Sequence, residues 1–320
     1  MRIAATSLFI LSVLQTGFAF GQTAQVSNVP QMDDRNPSTE KQGSSTQAKE
    51  TPCPNSRNQT DEAKYDDYVI RTYRSPEMEG CLRIFKGKKL LYSIEDVDFR
   101  ISKNLADDVV IPIGTDITGA GKPDAIVSEW SGGAHCCYTF HVFELGEAFK
   151  EVARIKADHS DGARFVDLNH DGTYEFEGND WAFAYWRTSF MSSPAPRIVL
   201  KFRTGRFRLA WDLMKKPAPS TENFASLLET IQSDEGWTNA SPPGCDMDCG
   251  VPVSLWSNML DLMYTGHAAL GWRLLNESWP SDRKDKANFI RDFCKQLRSS
   301  RYWSELKSEI GPCPPILPHR

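Results

Sequence analysis

The sequence predicts an α+β chain, a β-rich domain followed by a small helical region. Three observations carry this. From Tyr65 to about Trp211, short alternating or β-branched runs are broken by turn signals. After Pro217 the apolar period lengthens from two residues to about 3.6. Before Tyr65, large apolar residues are almost missing once the first twenty or so residues are past.

In chain order, Met1-Arg2 and the apolar run from Ile3 to Phe20 reach a small-residue site at Ala19-Phe20-Gly21. This reads as a secretory signal peptide over 1–21. Ser7, Ser12, Gln15 and Thr16 interrupt the run, which argues against a retained anchor, so no membrane association is expected after cleavage. Residues 22–64 are rich in Ser, Thr, Gln, Asn, Pro and charge. Such a stretch buries too little surface to offset its ordering entropy and is expected to be a disordered linker. The β-rich domain is assigned to 65–216, with strands in "YVIRTY", "CLRIF", "KLLYSI", "DAIVSEW", "YTFHVFEL", "KEVARIK", "RFVDL", "YEFEG", "PRIVLKF" and "RFRLAWDL". Lys86-Gly87-Lys88 and Thr204-Gly205 read as hairpin turns. The helical region is assigned to 217–320. Phe224, Leu227, Leu228 and Ile231 make one stripe; Leu255, Met259, Leu262 and Met263 a second, stopped by Gly266; Phe289, Ile290, Phe293 and Leu297 a third. "HAALGWRLLNESWP" reads as a short helix ended by Pro280.

All eight cysteines lie beyond the signal sequence, where an oxidising compartment favours disulfides. Their connectivity is open, apart from a local option at Cys245 and Cys249 and the prospect that Cys53 tethers the linker. The formal net charge of −5, with no basic block, argues against a nucleic-acid partner.

The chemistry concentrates in "DLNHDGTYE". Asp167, Asn169 and Asp171 alternate, Gly172 supplies a sharp turn, and Thr173 and Glu175 follow. Oxygen donors at alternate positions of a tight loop can converge on a hard cation, so these five residues are candidate calcium ligands, Thr173 through its carbonyl. An EF-hand is excluded, because its twelfth position here is Gly178 and the flanks are strand-like. Upstream, "DITGAGKPD" sets Asp116 against Asp167, Thr118 against Asn169, Gly121 against Gly172 and Asp124 against Glu175. Ala120 replaces the fifth-position carboxylate, so Asp116, Thr118 and Asp124 form a weaker second site.

"DITGAGKPDAIV" and "DLNHDGTYEF" together resemble the FG-GAP or VCBS-type calcium loops of integrin-α-like β-propellers. The resemblance covers roughly residues 110 to 180 and implies propeller-like strand units stiffened by calcium. The β-rich stretch holds about three such units, too few to close a ring. The following "SGGAHCC" segment, residues 131–137, also resembles one in bacterial exported proteins bearing such loops, a resemblance that implies no particular activity.

The reading that follows is an exported protein, periplasmic or extracellular, acting as a calcium-binding, non-catalytic binding or structural module for a glycan, peptide or protein ligand. Trp181, Phe183, Tyr185, Trp186 and Phe190 are candidates to line its groove, with a sheet core as the plainer role. The alternative is a secreted hydrolase using His135 with carboxylates near Asp116 or Asp161. Asp161 and Asp180 are also candidates to support the metal loop.

Overall fold

The computed structural model describes residues 58–77, 79–104, 109–133, 136–237 and 250–314. Among the described residues twelve strands form three antiparallel sheets of four, each wound in chain order. The first sheet holds β1 (Asn58–Tyr65), β2 (Tyr68–Arg74), β3 (Gly80–Lys86) and β4 (Lys89–Asp96). The second holds β5 (Asp98–Ile101), β6 (Asp124–Trp130), β7 (Tyr138–Leu145) and β8 (Phe149–Asp158). The third holds β9 (Arg164–Val166), β10 (Glu175–Asn179), β11 (Arg197–Arg203) and β12 (Arg206–Leu209). Short turns set these registers. Thr204 and Gly205 both take positive φ, 51° and 83°, so the two-residue hairpin turn follows the strand twist.

Alternation along the second sheet explains the layering. Ala125, Val127, Phe143 and Leu145 face the first sheet and pack with Tyr68, Ile70, Leu82 and Ile84. Ile126, Phe140 and Val142 face the other way, toward Phe165 and Phe176 of the third sheet. The Phe140 ring lies 5.8 Å from Phe165 and 5.3 Å from Phe176, centroid to centroid. A sheet covered on both faces needs apolar residues at nearly every position, as "DAIVSEW" and "YTFHVFEL" supply.

Six helices follow among the described residues: α1 (Trp211–Met214), α2 (Thr221–Gln232), α3 (Val253–Tyr264), α4 (Ala268–Ser278), α5 (Lys286–Arg298) and α6 (Trp303–Ile310). Their stripes bury Phe224, Ile231, Leu255, Met259, Phe289, Phe293 and Leu297 in one core with Val199 and Leu200 of the third sheet. The helical region thus shares its core with the sheets. Ser220 caps α2, its hydroxyl accepting from the Asn223 amide.

The boundaries depart from expectation in two places. Strand β1 begins at Asn58, inside the stretch expected to be linker. "RFRLAWDL" is strand only to Leu209, because Trp211–Met214 turns into a short helix. Cys294 is buried on α5 and bonded to Cys313, Cys136 is bonded to Cys137, and Cys81, also disulfide-bonded, has its partner outside the described residues. Cys53, Cys245, Cys249 and the expected signal peptide lie outside the described residues as well. Among the described residues no helix is long and apolar enough to cross a membrane.

Candidate functional site

Each candidate loop joins the first strands of a sheet: 102–123 connects β5 to β6, and 167–174 connects β9 to β10. The hydrogen bonds within them match position for position. Asp116 accepts from the amides of Ala120 (3.1 Å) and Gly121 (2.8 Å). Asp167 accepts from those of Asp171 (3.1 Å) and Gly172 (3.0 Å). At the far end, Asp124 Oδ2 accepts from the Ile117 amide, and Glu175 Oε2 from the Leu168 amide, each at 3.0 Å. The backbone repeats too: Gly119 and His170 take φ of 68° and 58°, Gly121 and Gly172 of 73° and 83°. Glycine meets this left-handed demand freely, and His170 meets it at a cost. A Cβ added to Gly119 would fall 2.7 Å from Thr173 Cγ2, so the two loops touch.

Charge separates them. In the second loop Lys201 of β11 places its ammonium 2.5 Å from Asp171 Oδ2 and 2.9 Å from the fully buried Glu175. The hydrogen bond from Lys201, then those from Thr173, hold the Asp171 carboxyl well below its usual range. Burial pulls Lys201 down, but its bonds to Asp171 and Glu175 outweigh this and raise it. Asn169 accepts from the Asp171 amide and donates to Asp171 Oδ2, while the Thr173 amide donates to Asp171 Oδ1. In the first loop the position facing the closing acid holds Glu144, paired across the strands with Asp124 and bridged to Lys122 at 2.7 Å. Asp124 is 1% exposed, its Oδ1 without a hydrogen-bond partner. Burial pushes its pKa up to about 6 against the hydrogen bonds from Thr118 and Ile117, with Asp116 adding to the rise.

These donors suit calcium in kind, being all oxygen and mostly carboxylate. Among the described residues, however, no three His, Cys, Asp or Glu side chains stand together as a ready metal cage. The cation held between Asp171 and Glu175 is Lys201.

Other candidates from the sequence divide. Asp180 does not support the metal loop: it is buried, accepting from Tyr264 Oη (2.6 Å), Ser300 Oγ (2.5 Å) and the Ala182 amide, and so joins the third sheet to the helices. Asp161 is exposed, and His135 lies outside the described residues. Phe183 and Trp186 pack into the helical core beside Phe293. Trp181 stacks on Phe190 at 5.3 Å, and Tyr185 is 54% exposed, so only part of that aromatic run faces solvent.

A buried charge cluster has no counterpart among those candidates. His141 on β7 is fully buried, with Nε2 2.6 Å from Glu129 and Nδ1 2.9 Å from Glu151. Burial disfavours the charged ring, but the two carboxylates outweigh it and hold the imidazole above its ordinary value. Arg154 braces Glu151 and reaches the Tyr92 hydroxyl, and the ring stacks on Phe143.

No family model, curated protein or solved structure matches the chain.

Proposed function

We propose that the chain is an exported, non-catalytic binding module of propeller-like four-strand units, with calcium bracing the paired loops. The observation that carries this is the repetition of one hydrogen-bond design at the same strand junction of two consecutive sheets, in loops that touch. The likeness to FG-GAP and VCBS loops rests on the same residues. Three meander sheets stacked in chain order are what an open run of such units would give.

Asp167, Asn169, Asp171, the Thr173 carbonyl and Glu175 would hold the ion at the primary site, and Asp116, Thr118 and Asp124 at the weaker one. The ion would neutralise the carboxylates and cross-link the loop. To enter the primary site it displaces the Lys201 ammonium, so its affinity belongs in the extracellular range, about 10⁻⁴–10⁻³ M. The non-catalytic reading is supported by His141, which among the described residues lies between two carboxylates, being sealed between sheets with both nitrogens engaged. The disulfides support export.

Calorimetric titration of calcium into the chelator-treated chain tests the proposal. Saturable heat should be lost in the Asp167→Ala, Asp171→Ala double variant and strengthened in Lys201→Met. Silence in both wild type and Lys201→Met would overturn the calcium brace.

A further inference from the structure

The β6–β7 end of the second sheet carries a second kind of chemistry. Cross-strand pairs Asp98 with Trp130, Arg100 with Ser128, and Trp130 with Tyr138 put five side chains on one face. Deeper along that face lie Ile126 and Phe140 of the core. At its end the face becomes amphipathic and lines an open cleft of ≈ 180 Å³. Clefts for drug-sized ligands run to roughly 300–1,000 Å³, so this one suits a single ring.

The cleft is held in shape from behind. The Ser131 amide donates to the Cys137 carbonyl (3.1 Å), the Cys137 amide to Ser131 Oγ (2.9 Å), and Trp130 Nε1 to the Gly133 carbonyl (3.3 Å). A Cβ on Gly133 would come within 2.3 Å of the Cys136 carbonyl oxygen, so the hairpin end closes tightly beside the Cys136–Cys137 disulfide. The Trp130 indole is thereby fixed by its N–H edge.

The polar groups select the ligand. Asp98 and Arg100 lie 3.5 Å apart, an acceptor beside a donor with little net charge between them. Ser128, which lines the cleft, is 1% exposed, and its buried Oγ has no hydrogen-bond partner. A buried hydroxyl left unpaired is costly and is relieved by a ligand that offers a partner. Sugar hydroxyls both donate and accept, so one can give to Asp98 while taking from Arg100. Trp130 and Tyr138, both half-buried, offer ring surface to the C–H face of a sugar. Glu129 also lines the cleft, its carboxylate engaged by His141 at 2.6 Å, so an anion would meet two acidic residues and a cation the Arg100 guanidinium.

We infer that this cleft binds a terminal unit of a neutral saccharide, with Trp130 and Tyr138 as its platform and Asp98, Arg100 and Ser128 reading its hydroxyls. The inference rests on the reading of the chain as a binding module and names that module's ligand class.

The test is ligand-observed saturation-transfer NMR and calorimetry on the intact, disulfide-bonded chain with maltotriose, cellotriose, xylotriose and chitotriose. At least one should bind saturably, and Trp130→Ala and Asp98→Asn should each weaken it about tenfold or more. Circular dichroism checks folding, and Asp98→Asn keeps the test decisive if Trp130→Ala unfolds. Binding by none of the four, or binding untouched by Asp98→Asn, overturns the inference. Calcium titration of the same variants separates the two claims: lost saccharide binding with calcium heat intact localises the sugar to the cleft, and calcium silence with Trp130-dependent sugar binding removes only the brace.

Discussion

Replacing His141 with Leu should destabilise the chain by leaving buried charge unpaired in the second sheet. The imidazole is fully buried between Glu129 and Glu151, at 2.6 and 2.9 Å. Removing it leaves two carboxylates facing an apolar side chain. Breaking a buried ion pair from one side costs roughly 3–5 kcal/mol. Glu129 and Glu151 keep 12% and 25% side-chain exposure, so water recovers part of that, and the lower end, about 3 kcal/mol, is the expectation. The pH dependence follows from the shifts. His141 is raised, so its contribution is complete below the ordinary histidine value of 6.5 and is lost as pH climbs through its folded value. Glu129 and Glu151 are lowered, so theirs is present above 4.5 and lost as pH falls through their folded values. Asp96, raised by burial beside Glu129, acts in the opposite sense and offsets part of the glutamate gain. The stability gap between wild type and His141→Leu should therefore peak between about pH 4.5 and 6.5 and shrink on either side. Urea unfolding across that range reads it directly. A gap below about 1 kcal/mol at pH 6, or one that widens toward pH 9, would mean that the imidazole is not charge-paired with Glu129 and Glu151.

Asp180→Ala should cost about 3 kcal/mol in the same assay, since it strips the buried acceptor from Tyr264 and Ser300. Phe140→Ala should cost about 3–5 kcal/mol, because the ring fills the space between Phe165 and Phe176; a loss under 1 kcal/mol would mean those sheets are not packed through it. Replacing Cys294 and Cys313 with serine opens a loop of 19 residues, which should cost about 3 kcal/mol and lower the thermal midpoint.

What the sequence made legible, and what it hid, divides along local and long-range lines. The helical stripes and the Thr204-Gly205 hairpin are local signals, and the structure has them in place. The alignment of Asp116 with Asp167 was readable for the same reason, since each loop is built from bonds within itself. Strand β1 was hidden because "NQTDEAKY" has almost no apolar side chains to read; an edge strand with one partner, β2, can be largely polar. Helix α6 was hidden by its length, eight residues. Lys201 and the His141 cluster were hidden because only strand register unites them. Lys201 meets Asp171 through the β10–β11 pairing, and Glu129, His141 and Glu151 come from three separate strands. The available hint was charge at inward-facing strand positions, in "SEW", "FHV" and "KEV".

In the proposed function, calcium braces the loop pair in competition with Lys201. The most direct measurement is the melting temperature of the wild type and of Lys201→Met, with chelator and with calcium about a hundredfold above its dissociation constant. Binding at that level contributes about 2.7 kcal/mol, a rise of about 4–5 °C for a chain of this size. That rise is expected in the wild type, at lower calcium in Lys201→Met, and in neither once Asp167 and Asp171 are alanine. A midpoint that ignores calcium in both proteins would contradict it, and would make Lys201 the permanent cation of the loop.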